Sequence, residues 1–194
     1  MSINRAKVID DLSQLKVRGD ANGLIPAFGV LVNQLPAGFW NNFSKAIMQA
    51  AGDDLAEAAG GLLENAAAEC GYHTGYGIIT SDEFNSVVGP MIEKKPDDVL
   101  HGAYAVFTAW GWANSEVIEL VPDEKMVIRA YDYYEAECGQ KKDGWAYMIK
   151  GVSRAFMDLA YSKPYPDGYG KFKCVQTKGI EMGDKYGEFV VTRA

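Results

Sequence analysis

Two histidines, three cysteines and a short run of carboxylates are the residues of this 194-residue chain whose types could do chemistry. Cys70-Gly-Tyr-His73 sets a thiol and an imidazole three residues apart, which on a helix turns both to one side. Such a pair could act as nucleophile and base, because an imidazolium stabilises a thiolate. Cys70 is expected on an apolar helix face, where burial raises a thiol pKa, so the pair reads as structural. A structural zinc wants four N or S ligands, and His101, Cys138 and Cys174 have no partners at short spacing; no metal site is expected. His101 could ligate a haem iron, but Cys-x-x-Cys-His is absent and no cofactor is expected.

In Tyr131-Asp-Tyr-Tyr-Glu-Ala-Glu137, strand alternation sends Asp132 to one face and Glu135 and Glu137 to the other. A paired general acid and base is therefore not specified, and a solvated strand end is expected. Gly71-Tyr-His-Thr-Gly-Tyr-Gly77 has neither the glycine spacing nor the following Lys-Ser or Lys-Thr of a phosphate loop. What the chain has in quantity is rings: four Trp, eleven Tyr and eight Phe, clustered at Phe39-Trp40, Trp110-Gly-Trp112 and Tyr131-Asp-Tyr-Tyr134. Rings of this kind line small-molecule pockets or fill a core, and composition leaves both open.

The elements that must position these groups follow from periodicity. Residues 36–51 read as a helix burying Phe39, Trp40, Phe43, Ile47 and Met48, and 53–70 as a central helix with Leu55, Ala59, Leu62, Leu63, Ala66 and Cys70 on one face. Thr80-Ser-Asp-Glu83 has a capping-box pattern and opens a short helix to about Met91. A further helix opens at Lys95-Pro96 and carries an aromatic stripe of Leu100, Tyr104, Phe107 and Gly111. Residues 116–121 and 124–134 then read as a β-hairpin, with Met126, Ile128, Ala130 and Tyr134 sharing a face. Asp143 is placed to cap a helix reaching Tyr161, with a stripe of Trp145, Ile149, Val152, Phe156 and Leu159. A Pro- and Gly-rich loop leads to a second hairpin of 171–178 and 186–192. The fold class is α+β: a helical N-terminal half packed on an antiparallel sheet built from two hairpins with an interposed helix. The length suits a single domain at 36–194 preceded by a helical extension over 1–35.

Nineteen Lys and Arg against 26 Asp and Glu give a net charge of -7, which argues against nucleic acid and anionic membrane surfaces as partners. Three widely spaced cysteines imply no disulfide framework, and the first residues lack a secretory pattern, so a cytoplasmic location is expected.

Three stretches in order carry a resemblance: Ala109-Trp-Gly-Trp-Ala-Asn114, Ala146-Tyr-Met-Ile-Lys-Gly151, and Lys178-Gly-Ile-Glu-Met-Gly-Asp-Lys-Tyr-Gly-Glu-Phe-Val190. They resemble the 4-vinyl reductase domain family, which includes effector-binding domains of aromatic-responsive transcription activators, over residues 40–193. The resemblance implies a ligand pocket between helices and sheet and a homodimer. It also implies a structural zinc held by a cysteine at the start of the interposed helix, an acidic residue on the next strand and two cysteines framing the final Gly-Asp turn. At the matching positions this chain has Ala146, Gln176, Gly179 and Gly187, so the zinc is expected to be lost. The residues expected to line the pocket are Tyr72, Tyr76, His101, Tyr104, Phe107, Trp110, Tyr134, Tyr147 and Phe156, with His101 as a polar contact. The expected function is binding of a small apolar or aromatic molecule, in a sensor that signals through a partner. The alternatives are a reductase or small-heterocycle hydrolase on a related fold, using Cys70, His73 and Asp132, and an interaction subunit like the transport-particle proteins.

Overall fold

A computed structural model of the chain describes residues 2–15, 17–138 and 144–194. The sheet is the α+β layer that the alternating strands require. Strands β3 (Ala113–Val121) and β4 (Lys125–Tyr133) form one hairpin, and β5 (Phe172–Lys178) and β6 (Gly187–Arg193) the other. They join through β4 and β6 into a four-stranded antiparallel sheet of order β3-β4-β6-β5. Helices α5 (Asp97–Ala109) and α6 (Tyr147–Tyr161) pack against it. Leu100, Tyr104 and Phe107 from α5 and Ile149, Val152 and Phe156 from α6 meet Met126, Ile128, Phe189 and Val191 in one buried core.

Tyr133, rather than Tyr134, takes the last core position of β4. Asn114 pairs with Asp132 but Ser115 with Ala130, so Tyr131 is bulged out and the face shifts by one residue. Tyr133 is buried, while Tyr134 leaves the strand into a 3-10 turn over Tyr134–Cys138.

The central helix, α3 (Ala56–Thr80), runs ten residues beyond its expected end at Cys70. Its buried face is Ala59, Gly60, Leu63, Ala67, Gly71, Tyr72 and Gly75. Leu55, Leu62, Ala66 and Cys70, expected on the apolar stripe, are exposed. The reason is close packing on α6. A Cβ on Gly151 would stand 2.7 Å from the Ala67 Cβ and 2.8 Å from the Ala68 nitrogen, and one on Gly71 would stand 3.1 Å from the Val152 Cα. Small residues let the two backbones approach, and that contact offsets the roughly 1 kcal/mol by which each glycine disfavours a helix interior.

Helix α2 (Ala37–Ala51) also turns the other way from expectation. It buries Asn41 and Ser44, with Asn41 Nδ2 donating to the Tyr134 carbonyl at 2.8 Å, and leaves Phe39 and Phe43 exposed. The N-terminal segment holds α1 (Arg5–Ser13) and a small hairpin of β1 (Ile25–Ala27) and β2 (Val30–Val32). Ile3, Val8, Leu12 and Phe28 from this segment form a second core with Phe84, Val88, Ala105 and Val106. Helix α4 (Asp82–Val87) is capped by Ser81, whose Oγ accepts the Phe84 N–H at 3.2 Å. Thr80, the expected cap, instead donates its hydroxyl to the Tyr76 carbonyl, and Glu83 accepts the Phe28 N–H. The proposed cap Asp143 lies outside the described residues, and α6 begins at Tyr147 with no side-chain cap at Ala146.

Candidate ligand-binding cleft

Helix α5 is tied to α6 at two points. Tyr104 Oη donates to Ser153 Oγ at 2.9 Å, and Tyr161 Oη donates to Asp97 Oδ1 at 2.6 Å. Because α3 and α6 are in close contact and α5 bridges above them, a cleft of about 300 Å³ remains where the three meet. Pro96, at the cap of α5, and Val99, Leu100, Ala103 and Phe107, at helical spacing on one face of it, supply one wall. Ile78 and Ile79 come from α3, and Phe156, Leu159 and Ala160 from α6. Thr80 and Lys95 border it.

Of the nine residues expected at a pocket, Phe107 and Phe156 line this cleft. Tyr104 lies behind both, with ring centroids 6.0 and 5.5 Å away. Phe107 continues to Trp112 at 5.1 Å and Trp112 to Tyr134 at 6.0 Å, so four of the nine share one chain of rings with Trp112, which was not among the expected lining residues. The others are elsewhere. Tyr72 is buried under the loop after α6, where its hydroxyl accepts the Gly168 N–H, and Tyr76 stacks on Tyr165 at 4.0 Å. Trp110 meets Phe28 edge-on at 4.4 Å in the second core. Tyr147 faces Trp145 at 5.8 Å and lies under the Lys150 ammonium. His101 borders a different, open cleft of about 460 Å³ between α5 and β3, together with Glu93, Lys94, Asp97, Asp98 and Glu119. Burial lowers the His101 pKa below its ordinary value, against the pull of Asp98 and Asp97.

The groups considered for catalysis keep separate partners. Cys70 is exposed, not buried, with Sγ 3.7 Å from Thr74 Oγ1, and His73 Nδ1 bonds to Tyr165 Oη at 2.8 Å. Asp132 is exposed beside the β4 bulge. Cys174 is buried, and burial pushes its thiol pKa up.

One carboxylate does not follow expectation. Glu135 is not solvated: the 3-10 turn after β4 folds it inward to accept the Met148 and Ile149 N–H groups, each at 3.0 Å. It is thus the cap that α6 lacks in its own sequence. Burial pushes its pKa up to about 8, against the two N–H donors, and nearby Glu181 adds to the rise. No local spacing signals this, since the helix it caps starts twelve residues on.

The positions matched to the family's zinc ligands are filled by protein. Gln176 Oε1 accepts the Ala146 N–H, and Gln176 Nε2 donates to buried Glu181. Glu181 also accepts from Tyr133 Oη and the Trp145 N–H. A Cβ at Gly179 would stand 2.6 Å from Gln176 Nε2, and one at Gly187 would stand 2.8 Å from the Tyr133 ring. A zinc ion does not fit these residues: the donor set is wrong and Gln176 and Tyr133 occupy the space.

No family model matches the sequence, and no curated protein matches it. Solved structures do. The phenol-responsive sensory domain of the transcription activator PoxR with phenol aligns over 100% of this chain and 92% of its own, at TM-score 0.67 and 12% identity. A trafficking protein particle complex subunit 3 from Naegleria fowleri, covalently bound to palmitic acid, covers 81% of this chain and 95% of its own, at TM-score 0.54 and 17% identity. A vinyl-4-reductase family protein from Methanocaldococcus jannaschii covers 98% and 92%, at TM-score 0.51 and 11% identity. At these identities the likeness is one of fold, and the chain has a 4-vinyl-reductase-like fold. Among the described residues no helix is long and apolar enough to cross a membrane.

Proposed function

From this fold and the cleft upon it, we propose that the protein is a binding module for one small, mostly apolar molecule held between α3, α5 and α6. The observation that carries the reading is the cleft wall, in which Ile78, Val99, Leu100, Phe107, Phe156 and Leu159 present apolar surface on three helices. Binding pockets for organic molecules have this composition, and a volume of about 300 Å³ is at the small end of their range, suited to one ring or a short chain. Two proteins of the same fold are described with phenol and with palmitic acid, which supports an apolar ligand here. Tyr104 backs the two lining phenylalanines, and the ring chain through Trp112 to Tyr134 offers a route by which occupancy could reach the sheet edge.

As a sensor it would act in the cytoplasm through a partner, and as a homodimer, with the exposed Phe39 and Phe43 of α2 as the first residues to check for the contact. The test is native mass spectrometry of freshly purified protein beside an Ala103→Leu variant, in which the larger side chain fills the cleft. A bound organic mass, released on denaturation and reduced in the variant, is the expected result. A clean mass in both, with no shift on adding phenol or octanoate, sinks the reading. Sedimentation of the same sample reports the dimer.

A further inference from the structure

We propose that the molecule held in the apolar cleft carries one carboxylate, recognised by Lys95 at the cleft's edge; this rests on the cleft being the binding site. Two consecutive lysines border opposite clefts. Lys94 borders the acidic one and is paired with Asp97 at 2.6 Å. Lys95 borders the apolar one, and among the described residues it has no ion-pair partner. The neighbouring acids are already engaged: Asp97 holds Lys94 and accepts from Tyr161, and Asp98 Oδ2 accepts the Glu93 and Lys94 N–H groups at 2.9 and 2.7 Å.

Of the fourteen residues lining the apolar cleft, only Thr80 and Lys95 have polar side chains. The Thr80 hydroxyl donates to the Tyr76 carbonyl at 2.8 Å, so its hydrogen is spent within the helix. Lys95 is then the one side-chain donor among these lining residues, and an ammonium has three donors and no acceptor. A cationic ligand end would meet a like charge there, and a neutral one would gain less than a carboxylate, whose bond to an ammonium is charge-assisted. The wall from Pro96, at the cap of α5, to Phe107 spans twelve residues, eleven steps of the helical rise or about 16 Å. With the carboxylate at Lys95, a ring or short chain extends along this wall toward Phe107 and Phe156.

The experiment is isothermal titration of the full chain with 4-butylbenzoate and its uncharged counterpart 4-butylbenzamide, at low salt and at about 0.5 M salt. The proteins are wild type, Lys95→Gln, Lys95→Arg, and the cleft-filling variants Ala103→Leu and Ala160→Leu, each first shown to be folded by circular dichroism. Wild type is expected to hold the benzoate about fivefold more tightly than the amide at low salt. That preference shrinks in high salt, disappears in Lys95→Gln and survives in Lys95→Arg, while either cleft-filling variant weakens both ligands. Equal affinities in wild type, or a preference that persists in Lys95→Gln, overturn the carboxylate assignment and leave the cleft standing. Failure of both ligands to bind, or binding untouched by both cleft-filling changes, overturns the cleft reading along with it.

Discussion

Gln176 bridges Ala146 and Glu181: its Oε1 accepts the Ala146 N–H at 3.2 Å while its Nε2 donates to Glu181 Oε1 at 2.7 Å. One amide therefore joins the start of α6, strand β5 and the turn before β6. Its two ends are complementary, since a backbone N–H needs an acceptor and a buried carboxylate needs a donor. Gln176→Leu leaves the Ala146 N–H without this acceptor and Glu181 with Tyr133 and Trp145 as its remaining donors. The expected loss is about 1–3 kcal/mol of unfolding free energy by urea titration. A variant as stable as wild type would mean that the network adds little.

The same geometry predicts indifference to chelators. Dialysis against EDTA should leave the melting temperature where it was, because Ala146, Gln176, Gly179 and Gly187 supply no zinc donor set. A drop of several degrees, reversed by added zinc, would contradict a site held together by hydrogen bonds alone.

Glu135 makes stability depend on pH in a direction opposite to most carboxylates. Its folded pKa is raised to about 8, whereas an unfolded glutamate titrates near 4.3, so between those values the folded state binds a proton that the unfolded state has released. The stabilisation is complete below the unfolded value and is lost as pH climbs through about 8. From pH 5 to 8 the contribution of this group should fall by on the order of 3 kcal/mol. Urea unfolding across that range should show the fall in wild type and a flatter profile in Glu135→Gln, which keeps an acceptor for α6 but cannot ionise. Parallel profiles would remove Glu135 as the cause.

The α3–α6 contact can be probed with two glycines that differ only in what stands next to them. Gly151→Ala drives a methyl into Ala67 and Ala68 of α3 and should cost about 1–3 kcal/mol or more. Gly61→Ala, on the exposed side of α3 with no atom within 4 Å of the added Cβ, should instead gain about 0.5–1 kcal/mol. Melting temperatures that move the same way for both would contradict the close helix contact.

Thiol labelling separates the two described cysteine side chains. Cys70 is exposed and should react with iodoacetamide in the folded protein, while Cys174 is buried with its pKa raised and should react only once urea unfolds the chain. Peptide mapping by mass spectrometry reads both sites. Early labelling of Cys174 would show that the sheet core opens readily.

Much of the fold was legible because it rests on local pattern. The stripe of Ile149, Val152 and Phe156, the hairpin of β3 and β4 and the second hairpin each follow from periodicities that their own residues satisfy. The helix end expected at Cys70 fell ten residues short: propensity counts Gly71 and Gly75 as a cost, whereas in the fold a Cβ at either would crowd Val152, Phe156 or Leu159 of α6. The exposed rings of α2 were misplaced for a related reason: Phe39 and Phe43 look like core by type, yet the face that meets the rest of the chain carries Asn41 and Ser44.

The sequence by itself determined the main helices and hairpins after residue 36, their order and the excess of rings over catalytic groups, because each depends on residues within a turn or a strand of one another. Tertiary structure alone decided which rings face the cleft, that Tyr131 bulges and sends Tyr133 inward, that Glu135 caps a helix beyond its own strand, and that Gln176 ties Glu181 to the start of α6. Each of these sets residues from different elements side by side. Their spacing along the chain carries no record of the contact, since packing between helices and strands fixes it.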